Sequence, residues 1–156
     1  MRVSDALLSS AIIIRPAWAT LDDAIDGLVA TLLQAARLPP DLVHAARARV
    51  REREAVASTA MVDIGVSIPH ARLDGVSGVI AAMAVSPQAV YHVADGLPIS
   101  IVALVLSSPS LSGEHLNFLS SLSLLLQSGR IREHLRNAGT AEEVVQLIRS
   151  NEQSRG

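Results

Sequence analysis

The sequence predicts an α/β (α+β) fold in which a mixed β-sheet of about four to five strands is flanked by helices on both sides. Helical periodicity occupies the first third of the chain, short apolar runs punctuated by Gly, Pro, Ser and Asp follow between residues 62 and 106, and helical periodicity then returns. Helices, a block of strands and further helices are typical of a layered domain. Regular βαβ alternation is missing, which argues against a doubly wound nucleotide-binding fold.

Two helices are predicted before the strands. Residues 21–37 place Leu, Ile and Ala on one face, and Thr20 with Asp23 resembles a capping box at the start of this segment. Consecutive prolines follow, and residues 41–53 are then predicted to form a second helix.

Four short strands are predicted in the middle of the chain. They cover residues 62–68, 79–85, 90–93 and 99–106. Asp95-Gly96 is a turn signal that would join the last two strands as a hairpin. The uninterrupted apolar run in the fourth strand is typical of a strand covered on both faces.

Three helices are predicted after the strands. Leucines along one stripe indicate a helix over residues 116–126, a shorter helix follows over 131–135, and Thr140 with Glu143 forms a capping box that opens the last helix. The polar tail from about Asn151 is expected to be frayed. Residues 1–156 are predicted to form one domain.

Composition excludes several function classes. All 13 basic residues are arginine, which excludes a P-loop, Schiff-base or general-base lysine, and the absence of cysteine excludes disulfides and thiol chemistry. A formal charge of −2 gives no strong attraction to nucleic acid or to an anionic membrane. The longest apolar run is far shorter than the roughly 20 residues that span a bilayer. We therefore expect a cytoplasmic protein with no nucleic-acid partner and no direct membrane insertion.

His70 is the most informative residue for chemistry. It follows an apolar segment and Pro69, and because proline cannot donate to a sheet ladder, His70 is expected at a strand end or in a loop. A neutral imidazole is nucleophilic toward phosphorus and leaves readily when protonated, so it can accept a phosphoryl group and pass it on. On residue chemistry alone, one Pro-His pair is better interpreted as an ordinary loop histidine than as a catalytic residue.

A series of motifs follows along the chain in an order shared with one known family. They are Leu38-Pro39-Pro40-Asp41-Leu42-Val43, Arg53-Glu54, Ser58-Thr59, Gly65-Val66-Ser67-Ile68-Pro69-His70, Asp95-Gly96-Leu97-Pro98-Ile99 and Gly113-Glu114-His115-Leu116. Through these motifs, over nearly its whole length, the chain resembles the fructose/mannitol-type (type 2) IIA family of the phosphoenolpyruvate-dependent phosphotransferase system (PTS), which includes nitrogen-regulatory IIA proteins. The segment ending in Ile-Pro-His is fairly specific to this family.

The resemblance implies a phosphotransferase activity in which His70 is the catalytic phosphoryl carrier and Arg53 and His115 support the phosphate. It implies a histidine phosphocarrier protein (HPr or its nitrogen-PTS counterpart) as donor. The implied acceptor is a cysteine of a IIB domain, or a regulatory protein reads the phosphorylation state instead. No metal, nucleotide or other cofactor is implied, because phosphohistidine is already a high-energy donor.

Residues 60–64 depart from the resembled family. The segment reads Ala-Met-Val-Asp-Ile, whereas the family has a glycine-rich stretch that is one residue shorter. Glycines allow backbone amides to approach an anion closely. Asp63 is expected to repel a phosphoryl group if its side chain points toward His70.

Other functional interpretations of the sequence have less support. A metal enzyme is disfavoured because the histidines at 44, 70, 92, 115 and 134 contain no His-x-His or His-Glu-x-x-His spacing. A serine hydrolase is disfavoured because no Gly-x-Ser-x-Gly occurs. The serious alternative is a non-catalytic regulatory module of the same fold, which binds partner proteins through the surface around His70 with weak or no phosphorylation.

Overall fold

The computed structural model describes residues 1–155 and places helices on both faces of a mixed β-sheet, which confirms the predicted fold class. The helices are α1 (Val3–Ala6), α2 (Leu21–Gln34), α3 (Val43–Val56), α4 (Ser112–Gln127), α5 (Gly129–Arg136) and α6 (Ala141–Arg155). The strands are β1 (Ile12–Ile14), β2 (Val66–Ser67), β3 (His70–Arg72), β4 (Val79–Val85), β5 (Tyr91–His92), β6 (Pro98–Ile99) and β7 (Ile101–Ser107). No helix within residues 1–155 has the length and apolar character needed to cross a membrane.

The antiparallel pair β4–β7 forms the centre of the main sheet. β1 pairs in parallel with the outer side of β4, and both β2 and β3 pair in parallel with the outer side of β7. β5 and β6 form a separate small hairpin. The β2–β3 segment is therefore one edge of the main sheet.

Every residue of β4 and β7 is buried, as their uninterrupted apolar sequences predict. Because successive side chains of a strand point to opposite faces, each strand contributes to two cores. Odd-numbered positions from Val79 to Val85 pack with α1, α4, α5 and α6. Even-numbered positions from Ile80 to Ala84 pack with α2 and α3.

The predicted strand over residues 62–68 is wrong in its first half. Residues 62–65 form a turn in which Gly65 has a φ of +69°, a conformation that suits glycine and interrupts extended structure. The N–H groups of Ile64 and Val66 both donate to the carbonyl of Met61 and close this turn. The strand therefore begins only at Val66.

The edge strand keeps its register through the proline. Val66 lies opposite Ile101 and, after the interruption, His70 lies opposite Val105 with the same offset along both chains. Pro69 lacks an N–H but its carbonyl accepts from Val105, so the ladder continues. His70 is the first residue of β3, in agreement with its predicted place at a strand end.

Three further features differ from the sequence prediction. α1 and β1 were not expected, because each is too short to produce a clear periodicity. The Asp95-Gly96 hairpin forms, but it joins β5 to β6 outside the main sheet. The tail expected to be frayed continues α6 to Arg155, and the Glu152 carboxylate accepts from the backbone N–H of Ser4, which ties this end to α1.

We expect Gly65→Ala to lower the free energy of unfolding more than Gly78→Ala. Both glycines have positive φ, +69° and +72°, so each substitution costs roughly 1 kcal/mol or more in backbone strain. An added Cβ at Gly65 also meets Ser100 Oγ at 3.2 Å and the Pro98 carbonyl at 3.4 Å, whereas nothing lies within 4 Å at Gly78. Urea unfolding should give a loss of about 2 kcal/mol at Gly65 and about 1 kcal/mol at Gly78. Equal losses would contradict the close packing of this turn.

Candidate functional site

A cavity of about 500 Å³ opens at the β3 edge of the sheet. α3 lines one side, α4 lines the other, and β3 lies between them. The lining residues are Arg49, Glu52, Arg53, Val56, His70, Ala71, Arg72, His115, Leu116 and Leu119. The structure thus brings together the three residues that the sequence analysis singled out, from three separate elements.

The His70 ring is half-buried and is oriented by the backbone carbonyl of Ile68. Its Nδ1 lies 2.8 Å from the carbonyl oxygen of Ile68. A carbonyl can only accept, so this hydrogen bond assigns the proton of the neutral ring to Nδ1. Nε2 is then left with a lone pair.

The edge position of the strand explains why Ile68 can hold the ring. Backbone groups of alternate residues point to opposite sides of a strand, and Pro69 directs its carbonyl to β7. Ile68 therefore directs its N–H and C=O away from the sheet, where an outer strand would otherwise pair. The Ile68 N–H donates to Thr59 Oγ1 at 3.2 Å, and its C=O accepts from His70.

Thr59 connects this edge to α3. The Glu54 carboxylate accepts from the backbone N–H of Thr59 at 3.1 Å and also from its hydroxyl. Since the same hydroxyl oxygen accepts from Ile68, a continuous series of hydrogen bonds runs from the last turns of α3 to the His70 ring. These contacts fix the segment without placing a carboxylate on the ring itself.

His115 lies on the α4 side of the cavity, with only 3% of its surface exposed. Its ring centroid is 5.5 Å from that of His70, and its Nδ1 is hydrogen-bonded to the hydroxyl of Ser107 at the end of β7. Burial, together with the nearby His70 and Arg72, lowers the pKa of His115 from 6.5 to about 4. The ring is therefore neutral at neutral pH.

Arg53 lies on the α3 side. One guanidinium N–H donates to the carbonyl of Ala57 at 3.0 Å, just beyond the C-terminus of the helix, where a cation is favourable. Within residues 1–155, Arg53 forms no ion pair with a carboxylate. Its other N–H groups are available to an anion in the cavity.

None of residues 60–64 lines the cavity of His70. Asp63 is exposed and lines a different cavity, of about 440 Å³, together with Gly65 and Arg132. Its carboxylate does not line the cavity of His70. The structure therefore gives no reason to expect Asp63 to repel a phosphoryl group on His70. In the described part of the chain, no three His, Asp or Glu side chains converge as a metal-binding group.

Sequence reasoning missed two groups that orient the histidines. One is the carbonyl of Ile68, which no side-chain motif can reveal because every residue has a carbonyl. The other is the hydroxyl of Ser107, which reaches His115 only because β7 ends beside α4. The position of Ser107 at the end of an apolar run was the one available signal.

Comparisons with known proteins agree on one family. The family model described as "Phosphoenolpyruvate-dependent sugar phosphotransferase system, EIIA 2" matches residues 6–151. A fructose-specific EIIA component from Haloferax volcanii is 32% identical over 131 residues, which cover 83% of each chain. A nitrogen regulatory protein from Pseudomonas aeruginosa is 32% identical over 97 residues, so the match spans only 62% of that relative.

A solved structure has a fold similar to that of this chain. The crystal structure of nitrogen regulatory protein IIA-Ntr from Neisseria meningitidis superimposes with a TM-score of 0.80 and 26% sequence identity. The superposition covers 94% of this chain and 98% of that chain. Similarity therefore extends over the sheet and both helical layers.

We expect the stability of the protein to fall as the pH is lowered from about 6.5 to about 4. In this window the unfolded chain protonates His115 at its ordinary pKa of 6.5 while the folded protein, with a pKa of about 4, does not. The unfolded state therefore binds more protons, and the unfolding free energy falls by up to about 3 kcal/mol at the acid end. Urea unfolding at several pH values measures this loss.

His115→Gln is the matched variant for this measurement, because glutamine does not titrate. Its unfolding free energy should change less over the same pH window than that of the unsubstituted protein. Parallel pH profiles for the two proteins would show that His115 is not held neutral by the fold.

Proposed function

Because the chain belongs to the phosphoenolpyruvate-dependent sugar phosphotransferase system EIIA 2 family, we propose that it is a phosphoryl carrier that accepts phosphate on His70. A histidine phosphocarrier protein is the proposed donor. One observation carries the proposal: the hydrogen bond from Nδ1 to Ile68 leaves Nε2 of His70 as the free nucleophile in a cavity that Arg53 and His115 also line.

The proposed transfer is an in-line displacement between two imidazoles. The lone pair of His70 Nε2 attacks the phosphorus of the donor's phosphohistidine, and a new P–N bond forms. The old P–N bond breaks, and its electron pair returns to the ring nitrogen of the donor. His70 keeps its Nδ1 proton throughout, so the carbonyl of Ile68 faces a ring that gains positive character as it is phosphorylated, which strengthens this hydrogen bond.

Arg53 and His115 are proposed to hold the equatorial phosphoryl oxygens. A guanidinium binds phosphate bidentately and supplies charge. We assign the Ser107 hydroxyl as the donor to Nδ1 of the neutral His115, so that Nε2–H of this ring is left to donate to an oxygen. Positioned donors of this kind are what phosphoryl transfer requires from a protein, and no metal or nucleotide enters this mechanism.

Two fates of the phosphoryl group are proposed. It is passed to a cysteine of a IIB domain, or it stays on His70 as a signal that a regulatory partner reads. The first is supported by the relative named as a fructose-specific EIIA component, and the second by relatives named as nitrogen regulatory proteins. In either case the partner docks over the cavity of His70.

We predict that the protein is labelled when it is incubated with radiolabelled phosphoenolpyruvate, enzyme I and HPr. The label should be lost completely in His70→Ala, because the attacking nitrogen is removed. It should be retained in His92→Ala, a matched control that replaces an exposed histidine of β5 outside the cavity. Gel autoradiography at short times measures the label.

Two results would oppose this function. If a known acceptor is labelled under the same conditions and this protein is not, the non-catalytic binding module is supported instead. If His70→Ala is labelled as strongly as the unsubstituted protein, a different residue carries the phosphate.

A further inference from the structure

Arg72 shares its side of β3 with His70. The residue between them, Ala71, is buried in the core formed with α2 and α3, and alternate side chains of a strand point to opposite faces. His70 and Arg72 therefore project together toward α4, and both line the same cavity. The function proposed above assigns no role to Arg72.

The guanidinium of Arg72 is held at the start of α4. Its Nη1 donates to Ser112 Oγ at 3.1 Å, and Ser112 is the first residue of that helix. Within residues 1–155, Arg72 forms no ion pair. The hydrogen-bond partner of this exposed cation is thus a neutral hydroxyl, so its positive charge is not balanced by a carboxylate.

This placement is electrostatically unfavourable when the cavity holds no anion. The N-terminus of a helix carries partial positive charge, so a cation there is repelled by the helix dipole. Arg72 also lies close enough to His115 to lower the pKa of that ring. The arrangement becomes favourable when a negative charge lies between these groups.

The charges around the whole cavity show the same imbalance. Three arginines line it, Arg49, Arg53 and Arg72, against a single glutamate, Glu52, whose carboxylate is 3.9 Å from Arg49. The chain as a whole carries a formal charge of −2. The positive cavity is therefore a local feature, which favours an anionic ligand at this place.

We propose that Arg72 binds the phosphoryl group carried by His70, from the side of the cavity opposite Arg53. This inference rests on the function proposed above and adds a third group to it. On phosphorylation, the guanidinium exchanges its hydrogen bond with Ser112 for one or two hydrogen bonds to phosphoryl oxygens. Two arginines, one beside α3 and one beside α4, then hold the phosphoryl group between them.

The test compares Arg72→Ala and Arg72→Lys with Arg149→Ala, which removes an exposed arginine of α6 outside the cavity. Rapid-mixing transfer from phosphorylated HPr should give a maximal rate about tenfold or more lower for Arg72→Ala, since one charge-assisted contact to the transferred group is lost. The HPr concentration that gives the half-maximal rate should change less than about threefold. Arg72→Lys should be intermediate, and Arg149→Ala unchanged.

A second readout does not need a donor protein. Inorganic phosphate is titrated into each unphosphorylated protein while the NMR signals of the His70 and His115 rings are followed. We expect about tenfold weaker phosphate binding in Arg72→Ala and unchanged binding in Arg149→Ala. Circular dichroism confirms that the variants are folded.

The outcomes separate this inference from the proposed function. Labelling of the unsubstituted protein with unchanged maximal rate and unchanged phosphate binding in Arg72→Ala would overturn the role of Arg72 and leave the carrier function intact. No labelling of the unsubstituted protein would overturn the carrier function. In that case, weaker phosphate binding in Arg72→Ala would still support Arg72 as an anion ligand, and unchanged binding would overturn it.

Discussion

The hydrogen bond between His70 Nδ1 and the carbonyl of Ile68 is the contact on which the site depends. It fixes the ring against the β2–β3 segment and leaves the lone pair of the neutral ring on Nε2. It exists because the β2–β3 segment is an edge of the sheet, where the backbone groups of Ile68 have no strand to pair with. An edge is usually a liability for aggregation. Here Thr59 and the His70 ring occupy the unpaired groups of Ile68, so the same contacts cover the edge and orient the proposed nucleophile.

The edge also determines which groups surround His70. Helices on opposite faces of the sheet both reach past this strand, so α3 supplies Arg53 and α4 supplies His115. The two groups differ in charge: the guanidinium is permanently cationic, whereas burial lowers the pKa of His115 and keeps its ring neutral. The neutral His115 ring adds no further buried positive charge to a cavity that arginines line on both sides.

The sequence predicted element bounds best where the local hydrophobic pattern agrees with burial in the folded protein. The strand over 79–85 has the predicted bounds because its apolar run is buried on both faces. The strand over 62–68 was wrong because Gly65 takes a left-handed conformation that residue type permits but does not require. His70 was found through the Ile-Pro-His motif and family resemblance. The roles of Ile68 and Ser107 depend on contacts between elements far apart in sequence, which no spacing rule predicts.

The decisive measurement is the position of the proton on the unphosphorylated His70 ring. Long-range proton–nitrogen correlation NMR, at a pH where the ring is neutral, distinguishes the two tautomers. We predict a proton on Nδ1 and a lone pair on Nε2, because the carbonyl of Ile68 can only accept a hydrogen bond. A neutral ring with its proton on Nε2 would contradict this assignment, since Nε2 would then have no lone pair with which to attack phosphorus.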